Sequence, residues 1–179
     1  MASETVSSSA TPSPWSEREG RALHAALFTH GGKVAVAESL TVGRVQAELG
    51  RWSGASAYFA GGLTAYEVEA KVRMLGVDAA HAVEVNAVSA RVAEEMARGV
   101  AKLFGCPIGL ATTGYAEPDA GRGVAEPFTW VAVVRGGETG GARVERVDGA
   151  GLGREAMQAA ATAAVLRLLS AWLAEEDAR

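Results

Sequence analysis

Val34-Ala35-Val36-Ala37-Glu38-Ser39-Leu40-Thr41-Val42-Gly43 is the stretch on which the fold turns. Its first four residues are apolar and half of them β-branched, the composition of a strand covered on both faces. The polar residues behind them should therefore sit at the strand's C-terminal end. Residues 42–49 then have the composition of a short helix, with Ser39 or Thr41 placed to accept hydrogen bonds from its first free amides. Strand, turn and helix in that order are the unit from which layered α/β domains are built.

The pattern repeats on either side. Upstream, Leu23, Ala26 and Leu27 alternate with Glu17, Arg18, Glu19 and Arg21, which reads as an amphipathic helix starting at Ser16 and stopping at Gly31-Gly32. Downstream, residues 58–66 read as a strand around Gly61-Gly62, and 67–75 as a helix stopped by Gly76. Tyr66 and Lys71 flank that junction. Val88, Val92, Met96 and Val100 recur every four residues and predict a helix that covers the sheet. Residues 108–112 read as a strand, and 113–127 as a loop rich in glycine, proline and acidic residues. Strands over 128–134 and 142–147 follow. A last helix, from Arg154 to about Ala174, turns Met157, Ala161, Val165, Leu168 and Trp172 toward the core. The sum is a three-layer α/β/α single domain with a mixed sheet over 16–179, preceded by a disordered tail at 1–15 rich in Ser, Thr, Ala and Pro. Strand order is not legible at this level.

Composition narrows the function. The chain of 179 residues is 49% hydrophobic and 21% charged, enough for one substantial core and too short for two. Its 17 Lys and Arg against 21 Asp and Glu form no basic stripe, which argues against nucleic acid as a partner. The most apolar stretch, 157–173, is interrupted by Arg167 and reads as a helix with one buried face rather than a membrane span. The single cysteine, Cys106, has no disulfide partner and lies beside an apolar stretch, the setting of a reduced structural thiol. His24, His30 and His81 are scattered, without the spacing of a zinc site. Gly149-Ala150-Gly151-Leu152-Gly153 precedes a helix, but Arg154 stands where a dinucleotide fingerprint needs its third glycine.

Several blocks in order carry a resemblance. Ala37-Glu38-Ser39-Leu40-Thr41-Val42-Gly43, Gly61-Gly62 with Tyr66, Glu69-Ala70-Lys71, Leu75-Gly76-Val77, Val88-Ser89 leading into Glu95-Met96-Ala97, and Thr113-Gly114 with Pro118 resemble the signature blocks of the CinA C-terminal domain family. The similarity runs over about 23–169. It implies a cytoplasmic, self-associating amidohydrolase of the pyridine nucleotide cycle, which removes the amide nitrogen of nicotinamide mononucleotide as a small-molecule substrate, without metal or organic cofactor. Full-length CinA proteins carry a further N-terminal domain associated with nucleotide pyrophosphatase chemistry. The segment before Ser16 is too short for it, so that activity is not implied. Two departures stand out: Val42 occupies the place of the family's first paired glycine, and Tyr115-Ala116-Glu117-Pro118-Asp119 replaces a more glycine-rich, less acidic loop.

The resemblance implies Ser39 as nucleophile, Lys71 as general base and Tyr66 as proton relay or hydrogen-bond donor. Amide cleavage needs those parts, together with donors for the oxyanion. A solvated lysine is protonated at neutral pH, so Lys71 can act only if burial lowers its pKa by roughly two to three units. Taken alone, Ser39 reads as a helix cap, Lys71 as a solvated helix residue and Tyr66 as a strand residue with its hydroxyl at the rim. The amides that open the helix after Ser39 are candidates for the oxyanion hole. The same helix end, together with Thr41, or the start of the last helix at Arg154, could receive a phosphate. Glu38 could orient Lys71 or the substrate, or cap an amide. Thr112, Thr113 and Gly114 end a strand where open α/β sheets place ligand-binding loops, which makes them substrate-binding candidates. Arg122 reads as a substrate clamp or as a charge partner for Glu117 or Asp119. A silent binding or regulatory protein and a broad amidase are the competing readings, motivated by Val42, Glu117 and Asp119.

Overall fold

The structure is a computed structural model that describes residues 4–6, 15–136 and 140–177. Its elements in chain order are β1 (Glu4–Val6), α1 (Glu17–His30), β2 (Val34–Glu38), α2 (Arg44–Gly50), β3 (Phe59–Thr64), α3 (Val68–Leu75), α4 (Ala79–Glu84), α5 (Ala90–Phe104), β4 (Ile108–Tyr115), β5 (Phe128–Arg135), β6 (Ala142–Asp148) and α6 (Arg154–Asp177). The sheet runs β1-β6-β5-β4-β2-β3. β2 pairs in parallel with both β3 and β4, whereas β4-β5 and β5-β6 are antiparallel, so the sheet is mixed. Five strands make up its body. The three residues of β1 add a short parallel edge opposite Val144, Glu145 and Arg146. Of the segment 1–15 that the composition reads as a disordered tail, Glu4–Val6 form β1, while 1–3 and 7–14 lie outside the described residues.

Alternation along β2 decides which helix lies where. Val34 and Val36 face a core shared with Leu23 and Leu27 of α1, Val45 and Leu49 of α2, and Val165 and Leu169 of α6. Ala35 and Ala37 face the opposite layer, with Val92, Met96 and Val100 of α5 and Leu75 of α3. The small residues let α5 approach closely: a Cβ on Gly109 of β4 would overlap the carbonyl of Ala97, and one on Gly99 of α5 the carbonyl of Leu75. α3 is thereby pressed against α5, which fixes the helix that carries Lys71.

Helix ends follow their chemistry. Ser16 and Glu19 form a reciprocal capping box on α1, and Gly31 closes it in the left-handed conformation. α6 is long and apolar enough to cross a membrane by length and composition, but 61% of its most apolar window is buried within the protein. Its inward residues Met157, Ala161, Val165 and Leu168 are buried as the spacing predicts.

Two local expectations are corrected, and one element is new. α2 begins at Arg44 rather than at 42, because Val42 (φ 43°) and Gly43 (φ 95°) both take left-handed backbone. That conformation is costly for a β-branched residue, and glycine would relieve it. β4 continues through Thr113, Gly114 and Tyr115, which the composition assigned to a loop, because β5 pairs with them out to Phe128. α4 has no counterpart in the pattern analysis. It is started by Asp78, whose carboxylate accepts the amide of His81.

Candidate active site

The parallel strands β2, β3 and β4 end at the same side of the sheet, the position where open α/β sheets bind ligands. The ladder holds to the last residue. The Ser39 amide donates to the Thr112 carbonyl at 3.0 Å, and the Ala65 amide donates to the Glu38 carbonyl at 2.9 Å. Ser39, Tyr66 and Tyr115 are thus carried to one cleft of about 460 Å³, which Lys71, Asn86, Gly114, Glu117, Asp119 and Arg154 also line. That volume suits a small organic ligand.

Glu38 builds the turn that presents Ser39. Its side chain is fully buried, and its carboxylate accepts the amides of Gly43 at 2.9 Å, Val45 at 3.2 Å and Gln46 at 2.9 Å. These are the orphan donors at the start of α2, so Glu38 takes the capping role that the sequence offered to Ser39 or Thr41. The same bonds remove those three amides as oxyanion donors. The amide of Leu40, which lines the cleft, makes no hydrogen bond among the described residues and is left open. The Leu40 carbonyl is held from the other side by Gln158 of α6, at 2.8 Å.

Released from capping, the Ser39 hydroxyl makes no hydrogen bond among the described residues and opens into the cleft, although the residue is only 6% exposed. It is not hydrogen-bonded to Lys71 or Tyr66 in this conformation. Lys71 is 3% exposed on α3, and its Nζ donates to the Tyr66 carbonyl at 3.4 Å. Burial pulls its pKa from the usual 10.5 down to about 8, with Glu67 opposing the shift. About a tenth of the lysine is then neutral at pH 7, against less than a thousandth for a solvated one. Tyr66 lines the cleft and is 55% exposed.

The substrate-binding candidates divide. Gly114 and Arg154 line the cleft. Glu38, Thr41, Thr112 and Thr113 do not: all four are fully buried and satisfied inside the protein. Thr41 and Thr112 share a hydrogen bond of 2.8 Å between their hydroxyls, which ties the turn to β4. Thr113 donates to the Ala87 carbonyl at 2.7 Å. That bond holds Asn86 (φ 51°) and Ala87 (φ 54°) in consecutive left-handed conformations and so brings Asn86 to the cleft wall. Asn86 donates to the Tyr115 hydroxyl at 3.0 Å, and the Tyr115 ring packs on Phe128 at 5.5 Å. Asn86 was not singled out from the sequence, and Tyr115 entered only as the start of the acidic loop. The one available signal was the tolerance of asparagine for left-handed backbone.

Cys106 is excluded as a nucleophile on its surroundings. Burial pushes its thiol pKa up, and the thiol donates to the Ile108 carbonyl. It lines a separate, larger hollow of about 760 Å³ before the start of β4, beside Met74, Leu103 and Pro107. Among the described residues, no three His, Cys, Asp or Glu side chains come together as metal ligands.

The family model described as the CinA C-terminal domain matches residues 17–173. The chain belongs to that family. This CinA C-terminal domain is 41% identical over 99 residues to a CinA-like protein of Shewanella sp., a match covering 55% of the chain and 23% of that protein. It is 47% identical over 90 residues to a CinA-like protein of Chlorobium limicola, covering 50% of the chain and 21% of that protein. The match thus spans under a quarter of the length of these curated relatives. A CinA superfamily protein of Klebsiella pneumoniae superposes with a TM-score of 0.81 at 29% identity, covering 88% of this chain and 97% of that one. The α/β architecture with its mixed sheet is the one shared with that CinA structure.

Proposed function

We propose that this CinA C-terminal domain is an amidohydrolase that converts the carboxamide of nicotinamide mononucleotide, or of a related small amide, to the acid and ammonia. The observation that carries the reading is a buried lysine amine with a pKa of about 8 in the same cleft as an unpartnered serine hydroxyl. Lysine is the side chain that burial turns from a cation into a base near neutral pH, and a serine needs such a base to attack.

In this mechanism neutral Lys71 takes the Ser39 hydroxyl proton as Oγ bonds to the amide carbon. The Leu40 amide donates to the resulting oxyanion. The C–N bond breaks as the nitrogen takes a proton from the Lys71 ammonium, directly or through Tyr66, and ammonia leaves. Water, deprotonated by the same amine, then cleaves the acyl-serine ester, releasing the carboxylate and restoring both groups. This mechanism requires the Ser39 and Lys71 side chains to move into hydrogen-bond contact, since catalytic hydrogen bonds commonly tighten only when substrate binds. Cytoplasmic location and self-association accompany this reading through the family.

The test is ammonia release from nicotinamide mononucleotide, its riboside and nicotinamide. Wild type is expected to release ammonia from at least one, and Ser39→Ala to lose about 10³-fold or more in rate. Absence of release from all three by wild type removes the reading. The open Ser39 hydroxyl also favours a second reading, a binding protein without turnover. Its signature is a melting temperature raised by one of these ligands without ammonia release.

A further inference from the structure

The charged side chains that line the cleft are Lys71, Arg154, Glu117 and Asp119. Lys71 is buried at the floor, while the other three are about half-exposed at the mouth. Arg154 opens α6 and, among the described residues, is the sole lining cation besides Lys71. Its Nη2 lies 3.3 Å from the Glu117 carboxylate. Asp119 lies 3.5 Å from Arg122, which is not part of the lining. At the mouth, two carboxylates face a single lining guanidinium already engaged by one of them, while the Lys71 amine is buried at the floor.

An anionic group entering there must compete with Glu117 for Arg154 and remain close to both carboxylates. A neutral or positively charged carrier leaves the pair intact and meets attraction or no penalty. Exposed ion pairs stabilise little, so the argument rests on the charges the ligand faces and not on the strength of the pair. At separations of several ångströms in a half-screened cleft, each such charge changes affinity by about tenfold.

We infer that Glu117 is a specificity-determining residue that makes this cleft select carboxamides on neutral or cationic, unphosphorylated carriers. The carboxamide part rests on the amidohydrolase reading, whereas the charge selection does not. The mouth distinguishes ligands that share the amide and the positively charged pyridinium ring and differ in a phosphate.

The test is the affinity of nicotinamide riboside and of nicotinamide mononucleotide for the Ser39→Ala protein, which does not consume them, by calorimetry at low and moderate salt. The riboside is expected to bind about tenfold or more tightly than the mononucleotide. Adding Glu117→Gln should narrow that gap about tenfold, chiefly by strengthening the mononucleotide, which Arg154 is then free to hold. Salt should narrow it as well. Equal or tighter binding of the mononucleotide, with a ratio that Glu117→Gln does not move, overturns the inference, as does failure of both ligands to bind. Ammonia release by the intact protein separates the two claims. The binding preference without ammonia removes the reaction and leaves the charge selection, while ammonia release with the mononucleotide preferred removes the charge selection alone.

Discussion

Lys71→Met is expected to eliminate amide hydrolysis, by about 10³-fold or more, and at the same time to raise the stability of the folded protein. The two effects share one cause. Lys71 is 3% exposed and its pKa falls from 10.5 to about 8 because burial disfavours the ammonium. Below pH 8 both folded and unfolded chains carry the proton, and the folded state bears the full penalty of a buried charge. As pH rises from 8 toward 10.5 the folded state releases the proton first, and the penalty disappears. Methionine keeps an unbranched apolar stem and removes the charge, so at pH 7 it should add about 2 kcal/mol, below the ~3 kcal/mol that the full shift would imply. Thermal unfolding at pH 7 should show a rise of several degrees, shrinking toward pH 10. Lys71→Arg should show no such rise, since guanidinium cannot shed its proton. A Lys71→Met protein that is less stable and still hydrolyses amides would contradict both the burial and the role.

Glu38→Gln carries the largest expected loss of stability. The carboxylate accepts three amides at the head of α2. An amide side chain can accept at its oxygen alone, so its NH₂ would face at least one backbone N–H without an acceptor between them. Losing a charge-assisted cap and stranding a buried donor costs about 3 kcal/mol, or roughly 6–12 °C in melting temperature for a domain of this size. Because Ser39 is the next residue, activity should fall with it. An unchanged melting temperature would show that the cap is not what holds the turn.

The layers were legible because burial imposes periodicities that a sequence displays. Valine and alanine alternate in β2 to serve two different helical layers, and the four-residue recurrence in α5 marks the face that meets Ala35 and Ala37. The three proposed reacting residues were found by spacing within family blocks, and the fold brings them to one cleft. What escaped is non-local. Thr41, Thr112 and Thr113 stand at strand ends where ligand-binding hydroxyls are common, yet they bond Thr112, Thr41 and Ala87 respectively, partners set by folding and not by neighbourhood. Glu38 outcompeted Ser39 as the cap because a buried carboxylate reaches three amides where a hydroxyl reaches one. Asn86 and Tyr115 lie 29 residues apart and form a wall only once Thr113 has fixed the turn. The extension of β4 depended on a partner strand that composition does not reveal.

The central claim is that Lys71, whose burial brings its pKa down to about 8 and so populates a neutral amine near neutral pH, activates Ser39. The pH dependence of kcat/KM for ammonia release, followed from about pH 6 to about pH 10, measures this most directly. The rate should climb tenfold per pH unit and level off at an apparent pKa near 8, the value at which Lys71 loses its proton. A profile that is flat over that range, or that keeps climbing past pH 10, would show that the group doing the work is not this lysine.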